Sequence, residues 1–351
     1  MHHTLRTRAF ASVAIALAVF AGACAPDSVE DEPATAPVEG DAGDSSTENA
    51  GGDLSDRIDV SGSSTVEPIS ALVAQDFQTD NPGVAISVVG PGTGDGFALF
   101  CEGQTDISDA SRPIKDEEAQ TCADNGVEFT EIKVGIDGLT VMTNPANEAV
   151  QCVDFAALYA LTGPESEGFA NWSDAASLGE ELGSSSPEEF PDAELTVVGP
   201  GEESGTYDSY VELVIEEFNE ERGTEAVTRS DYEASPNDNV IIQGIQGSDT
   251  PLGWVGYAFF VENQDTVKAL EVDGGDGCVA PTADAIASNE YPLARDLFIY
   301  VNNAKAEEKP ALQAFVDYYL SDQGYAAVSE AGYVQLTEED WQASQEAWTG
   351  R

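Results

Sequence analysis

From Ile58 onward the chain repeats one local design: a short apolar run, a turn of Gly, Ser and Thr, then an amphipathic stretch at helical spacing. Ile58-Asp59-Val60 leads into Ser61-Gly62-Ser63-Ser64-Thr65, and Val66, Ile69, Leu72, Val73 and Phe77 follow on one helical face. Asn81-Pro82-Gly83 breaks that stretch. Residues 84–89 form the next strand candidate, which ends in Gly90-Pro91-Gly92-Thr93-Gly94-Asp95-Gly96 before a helix over 97–101. A third strand starts at 105–108. Such alternation predicts an α/β chain with right-handed crossovers and a parallel sheet covered on both faces.

The later pattern predicts a second α/β set. Strands at 132–134 and 139–143 lead into Asn144-Pro145, where the first crossing between two lobes is expected. A helix over 155–161, a strand over 195–198, a Ser204-Gly205-Thr206 loop, a helix over 210–218 and a strand-like apolar run over 253–260 follow. A strand over 297–301 and a helix over 310–320 return to the first lobe. The expected division is residues 58–143 plus 279–351 for one lobe and 144–278 for the other.

Charge and composition exclude whole classes of function. The 351 residues carry 66 acidic and 13 basic side chains, a net charge of −53. A surface of that sign repels nucleic acid and anionic membrane, so no nucleic-acid partner is expected. The two histidines are His2 and His3. Beyond them no Ser-His-Asp or Cys-His catalysis and no histidine metal site can form. There is no P-loop and no Gly-x-Ser-x-Gly elbow. No enzyme, no cofactor and no metal are therefore expected.

Residues 1–23 read as a secretory leader: Arg6 and Arg8, an apolar run over 9–20, then Ala21-Gly22-Ala23 before Cys24. The run is short for a membrane span. Small residues directly before a cysteine resemble a bacterial lipobox. That resemblance implies cleavage before Cys24, lipidation of its thiol and anchorage at the outer face of the cytoplasmic membrane. Loss of the leader with its two arginines takes the net charge to −55. Residues 24–57 are then an acidic, Ala/Gly/Pro/Ser-rich tether without an aromatic residue. Cys101, Cys122, Cys152 and Cys278 remain, an even number outside the cell, which favours two disulfides. Three connectivities are open. Cys101 and Cys122 flank one short segment and are paired on that ground, leaving Cys152 with Cys278.

Three strand–turn–helix corners carry the chemistry: Gly62-Ser63-Ser64-Thr65, Gly92-Thr93-Gly94-Asp95-Gly96 and Ser204-Gly205-Thr206. A helix start leaves backbone N–H groups unpaired and carries partial positive charge. Hydroxyls add donors, and glycine lets an anion approach the backbone. Any one such corner is ordinarily an N-cap. Three in a two-lobe chain suggest one shared oxyanion. In Ser108-Asp109-Ala110-Ser111-Arg112-Pro113-Ile114, Arg112 could grip an oxyanion in bidentate fashion.

In Ser61-Gly62-Ser63-Ser64-Thr65-Val66-Glu67-Pro68-Ile69, and over 90–97, 105–114, 135–141, 199–207 and 297–301, the chain resembles the PstS-type phosphate-binding proteins, the extracytoplasmic receptors of phosphate ABC importers, and most nearly their SphX-like branch. The likeness runs in order over about residues 58–345. It implies a type II periplasmic-binding-protein fold, two α/β lobes joined by a two-crossing hinge with a ligand cleft between them. It further implies phosphate held by a hydroxyl and a backbone N–H at Ser64 and Thr65, by Thr93, and by Ser204, Gly205 and Thr206; from the residues themselves Gly94, Ser111 and Arg112 join the candidate set. Two positions depart from the family: its arginine falls on Pro200 and its proton-accepting aspartate on Ser111. Arg112 or Arg229 could replace the arginine, and Asp109 or Asp95 the aspartate. The expected partners are inorganic phosphate and a membrane permease, with the protein monomeric and tethered by lipid. The competing readings are another oxyanion (sulfate, molybdate or a phosphonate), a phosphatase-like surface enzyme, and an adhesive surface lipoprotein.

Overall fold

The computed structural model describes residues 54–184, 190–202 and 204–351. The expected leader and Cys24 lie outside the described residues, as does most of the tether. No helix among the described residues is long and apolar enough to cross a membrane.

Twelve strands are described: β1 (Asp56–Gly62), β2 (Val84–Val89), β3 (Ile107–Ala110), β4 (Phe129–Thr143), β5 (Cys152–Asp154), β6 (Thr196–Gly199), β7 (Glu233–Ala234), β8 (Pro251–Gly256), β9 (Lys268–Ala269), β10 (Glu271–Asp273), β11 (Cys278–Val279) and β12 (Ala294–Asn302). One sheet runs β2-β1-β3-β12-β4-β8-β6-β7, with β9 on β4. The small sheet β11-β10-β5 stands apart. β1 begins at Asp56, so residues 56 and 57 lie in the sheet although the sequence assigns them to the tether.

The fold is the expected mixed α/β type, but the sheet is not wholly parallel. β1, β2 and β3 run parallel, as do β6, β7 and β8. β12 runs antiparallel to both β3 and β4, and β4 antiparallel to β8. The reason lies in the connectivity. The chain leaves the first set of strands along β4 and comes back along β12, and a strand returning beside the one that left must oppose it. The two short strands expected at 132–134 and 139–143 are one 15-residue strand, β4. Its residues 129–138 pair with β12, and its residues 139–143 pair with β8 and β9. β4 thus hands the chain from one half of the sheet to the other between Gly138 and Leu139.

Helices cover the sheet faces. α1 (Glu67–Asp80) buries Ile69, Val73 and Phe77, the stripe its sequence spacing predicts. α2 (Thr93–Cys101) buries Phe97 and Phe100 in a cluster with Phe298 and Tyr300, closed off by α3 (Asp116–Asp124). The apolar run over 253–260 divides: β8 ends at Gly256 and a helix, Tyr257–Asn263, follows. Phe259 and Phe260 there pack against the buried cluster of Met142, Val198 and Ile245.

Cys101 pairs with Cys122 and joins α2 to α3. Cys152 pairs with Cys278 across 126 residues and joins β5 to β11. A loop of that length loses much unfolded-state entropy when closed. Cys152→Ser with Cys278→Ser should therefore lower stability by about 2–5 kcal/mol, read as a fall in the urea midpoint. An unmoved midpoint would show that this closure contributes nothing.

Candidate functional site

β1 ends in a close crossing of backbones. Gly62 has φ of 151°, and a Cβ there would lie 2.0 Å from the Asp109 carbonyl oxygen. Only glycine fits. The crossing lets Ser63 N–H donate to Asp109 O and Gly92 N–H donate to Gly62 O, both at 2.9 Å. Three corners are knitted together in this way: 62–66, 90–93 and 108–111. Ser63 Oγ accepts from Thr65 N–H at 3.1 Å, which spends a backbone donor that the resemblance assigns to the anion.

Thr93 opens α2 and is buried. Its Oγ1 accepts from Ser111 N–H at 3.2 Å and lies 3.0 Å from Ser111 Oγ. A cavity of about 630 Å³ opens here, lined by Thr93, Gly94, Ser111 and Arg112 together with Glu212 and Arg295. Opposite stands the helix Gly205–Tyr210, which runs on through a π-helical turn, Val211–Ile215, into Glu216–Arg222. Ser204 caps it, its Oγ accepting from Thr206 N–H at 3.2 Å. A Cβ on Gly205 would sit 3.2 Å from Ser64 O, so this corner touches the first corner directly. Thr206 opens into a separate cavity of about 320 Å³ with Asp137 and Tyr333.

The cationic centre is Arg295, at the start of β12, in cross-strand register with Asp137 on β4. Its side chain is 9% exposed and that of Asp137 5%. Arg295 Nη2 donates to Thr65 Oγ1 at 2.8 Å and to Ser209 Oγ at 2.5 Å. Nε reaches Asp137 Oδ2 at 3.4 Å, and Nη1 bonds Glu212 Oε2. Ser209 Oγ lies 2.7 Å from Asp137 Oδ2. Ser64 Oγ donates to Asp208 Oδ2 at 2.5 Å, and Ser111 Oγ donates to Glu212 Oε2 at 3.3 Å. Corners from both ends of the sheet therefore meet on one guanidinium.

The two arginines singled out from sequence are each held by a carboxylate. Arg112 reaches the cavity rim, but its guanidinium is held by both carboxylate oxygens of Glu118 at 2.8 Å and lies over the Phe97 ring. Arg229 is buried against Asp231, at 2.6 and 2.9 Å, and against Phe169 O at 3.0 Å. It ties loops around residues 161–169 to 231 and touches none of the three corners. Asp95 is exposed on α2. Asp109 is fully buried beneath the first corner and accepts from Ser70 Oγ at 3.0 Å.

Sequence reasoning missed Arg295, Asp137, Ser209 and Glu212. A signal existed for two of them. Asp137 is an acid between Ile136 and Leu139 in the fully buried stretch of β4, and buried acids need a charged or hydrogen-bonding partner. Arg295 is one of few bases and stands just ahead of the strong strand 297–301. Their pairing spans 158 residues and needs the strand register, which no local pattern contains.

A profile of the PBP superfamily domain matches residues 39–323. The chain belongs to the PBP superfamily. It is 38% identical over 287 residues to the protein SphX of Synechocystis, covering 81% of this chain and 80% of that one. It is 32% identical over 294 residues to the phosphate-binding protein PstS of Staphylococcus aureus, covering 83% and 82%. Among solved structures, a possible phosphate binding protein from Planctomyces limnophilus superposes with a TM-score of 0.75 at 36% identity, covering 85% of this chain and 99% of that one.

Asp109 gives the site's setting a pH signature. Burial pushes its carboxyl up to about 7, with Ser70 opposing and Glu67 reinforcing. The unfolded chain ionises this group near the ordinary value of 3.8, whereas the folded chain keeps the proton until about 7. Stability should therefore fall as pH rises between these values and stay level above them. Asp109→Asn should flatten that limb in urea titrations at about pH 5 and about pH 7.5. An equal slope in the variant would contradict this assignment.

Proposed function

We propose that the protein captures inorganic phosphate in the cleft between its lobes, residues 58–143 plus 279–351 and residues 144–278, and delivers it to the permease of an ABC importer. The observation that carries this reading is the convergence of Thr93, Ser111 and the buried Arg295 on one cavity wall facing the helix that starts at Gly205. Its relative named phosphate-binding protein PstS supports the choice of anion. Arg295 takes the part of the family's arginine, whose place is held by Pro200. Asp137, its cross-strand partner, lines the adjoining cavity with Thr206, and to it we assign the ligand's proton. Sulfate has no proton to offer near neutral pH, and a carboxylate facing it repels it.

Hydroxyls at Ser64, Thr65, Thr93, Ser111, Ser204 and Thr206, with the backbone at Gly94 and Gly205, complete the donor set. Each hydrogen bond to a charged ligand contributes roughly 1.5–3 kcal/mol, so several together exceed the cost of ordering and desolvation. Only the closed form engages both lobes, and phosphate shifts the balance towards it. The molecule acts as a monomer held at the outer face of the membrane by a lipid on Cys24, a reading that rests on the leader sequence alone.

Calorimetric titration with phosphate tests the site. Arg295→Ala should weaken binding by roughly 30-fold or more, while Arg112→Ala and Arg229→Ala change it by about threefold or less. Arg295→Lys, which keeps the charge and loses the planar fork, should fall between. A larger loss in Arg112→Ala than in Arg295→Ala would move the site to the outer part of the cavity. Sulfate binding as tight as phosphate would remove the assigned selectivity.

A further inference from the structure

We infer that the carboxylate of Glu212 is a resident anion that occupies the phosphate's place on Arg295 and Ser111 and must leave when phosphate binds. This inference rests on the phosphate reading of the cleft. A single oxygen, Glu212 Oε2, accepts from Arg295 Nη1 and from Ser111 Oγ. Those donors come from two separate segments, β12 and the corner after β3, and meet on this one oxygen. One carboxylate oxygen between them does what a phosphate oxygen would do.

The contact has a companion. Asp208, four residues earlier on the same helix, accepts from Ser64 Oγ at 2.5 Å. Two acids at i and i+4 share one helix face, and each takes a hydroxyl that the phosphate reading assigns to the ligand. The helix changes to a π turn over Val211–Ile215, where Glu212 projects, and such turns are common at functional positions. Both acids stand on residues 144–278, and both hydroxyls, like Arg295, stand on the other lobe. Asp208 and Glu212 therefore tie the two lobes through donors that the phosphate reading assigns to the ligand.

Displacement follows from charge. A phosphate dianion and a carboxylate do not share one guanidinium N–H and one hydroxyl without strong repulsion. Glu212 can yield, because its side chain is 37% exposed and has water to move into. Asp137, at 5%, is held in place by Ser209 and Arg295. Glu212 thereby lowers phosphate affinity and holds the lobes together when phosphate is scarce.

The test is phosphate and sulfate calorimetry on the full mature protein and on Glu212→Gln, with small-angle scattering of both without ligand. Gln keeps the shape and removes the charge. The inference expects Glu212→Gln to bind phosphate tighter, on the order of fivefold, with discrimination against sulfate unchanged and a larger radius of gyration when empty. Glu212→Ala should move affinity and radius the same way. Unchanged affinity overturns the inference. Weaker phosphate binding with stronger sulfate binding overturns it too, and makes Glu212 the acceptor of the ligand's proton. A wild-type protein that binds no phosphate would instead remove the reading of the cleft, so the two failures are separate.

Discussion

The Arg295 guanidinium reaches groups from three other segments at once: Thr65 behind β1, Asp137 on β4, and Ser209 with Glu212 on the facing helix. A buried cation is costly unless charges and lone pairs surround it. That requirement fixes the geometry around it. β12 must lie in register with β4 to bring Asp137 opposite. The first corner must turn at Gly62 to aim Thr65 inward. The helix from Gly205 must press against Ser64 for Ser209 to meet the same nitrogen. The planar guanidinium presents its donors in a fixed fork, and what varies is which anions sit on it.

The net charge of −53 makes the local arrangement matter more. At about 0.15 M salt the Debye length is about 8 Å, so the far field of the acidic surface is largely screened in solution. Within the cleft the screening fails, and attraction must come from donors in contact with the ligand. Scarce bases are spent accordingly. Lys305 and Lys309 neutralise the buried Asp106, Arg229 serves Asp231, and Arg112 serves Glu118. Arg295 joins Thr65 and Asp137 to Ser209 and Glu212 on the facing helix.

The legible parts of the fold were those encoded locally. The 62–65, 92–96 and 204–206 corners show in the sequence because N-capping hydroxyls and glycines sit beside apolar runs of defined period. α1 shows because its buried stripe repeats every three or four residues. The pairing of Cys101 with Cys122 shows because the two flank one short unit. Strand direction did not show: an apolar run reads alike in either sense, so the antiparallel return of β12 beside β4 was hidden. The run over 253–260 concealed a strand-to-helix switch at Gly256, since a short unbroken apolar run has no period that tells strand from helix. Arg295 was hidden because its place depends on a pairing 158 residues apart, whereas Arg112, in a suggestive local motif, is held by Glu118 in the first turn of α3.

The central claim is that phosphate is held between the lobes on Arg295. A crystal structure of the phosphate complex tests this most directly. The account predicts an anion in contact with Arg295, Ser111 and Thr93 from one lobe and with the Ser204–Thr206 corner from the other, with Glu212 turned away. An anion seated on Arg112 at the cavity rim, with Arg295 still bound to Glu212, would contradict it.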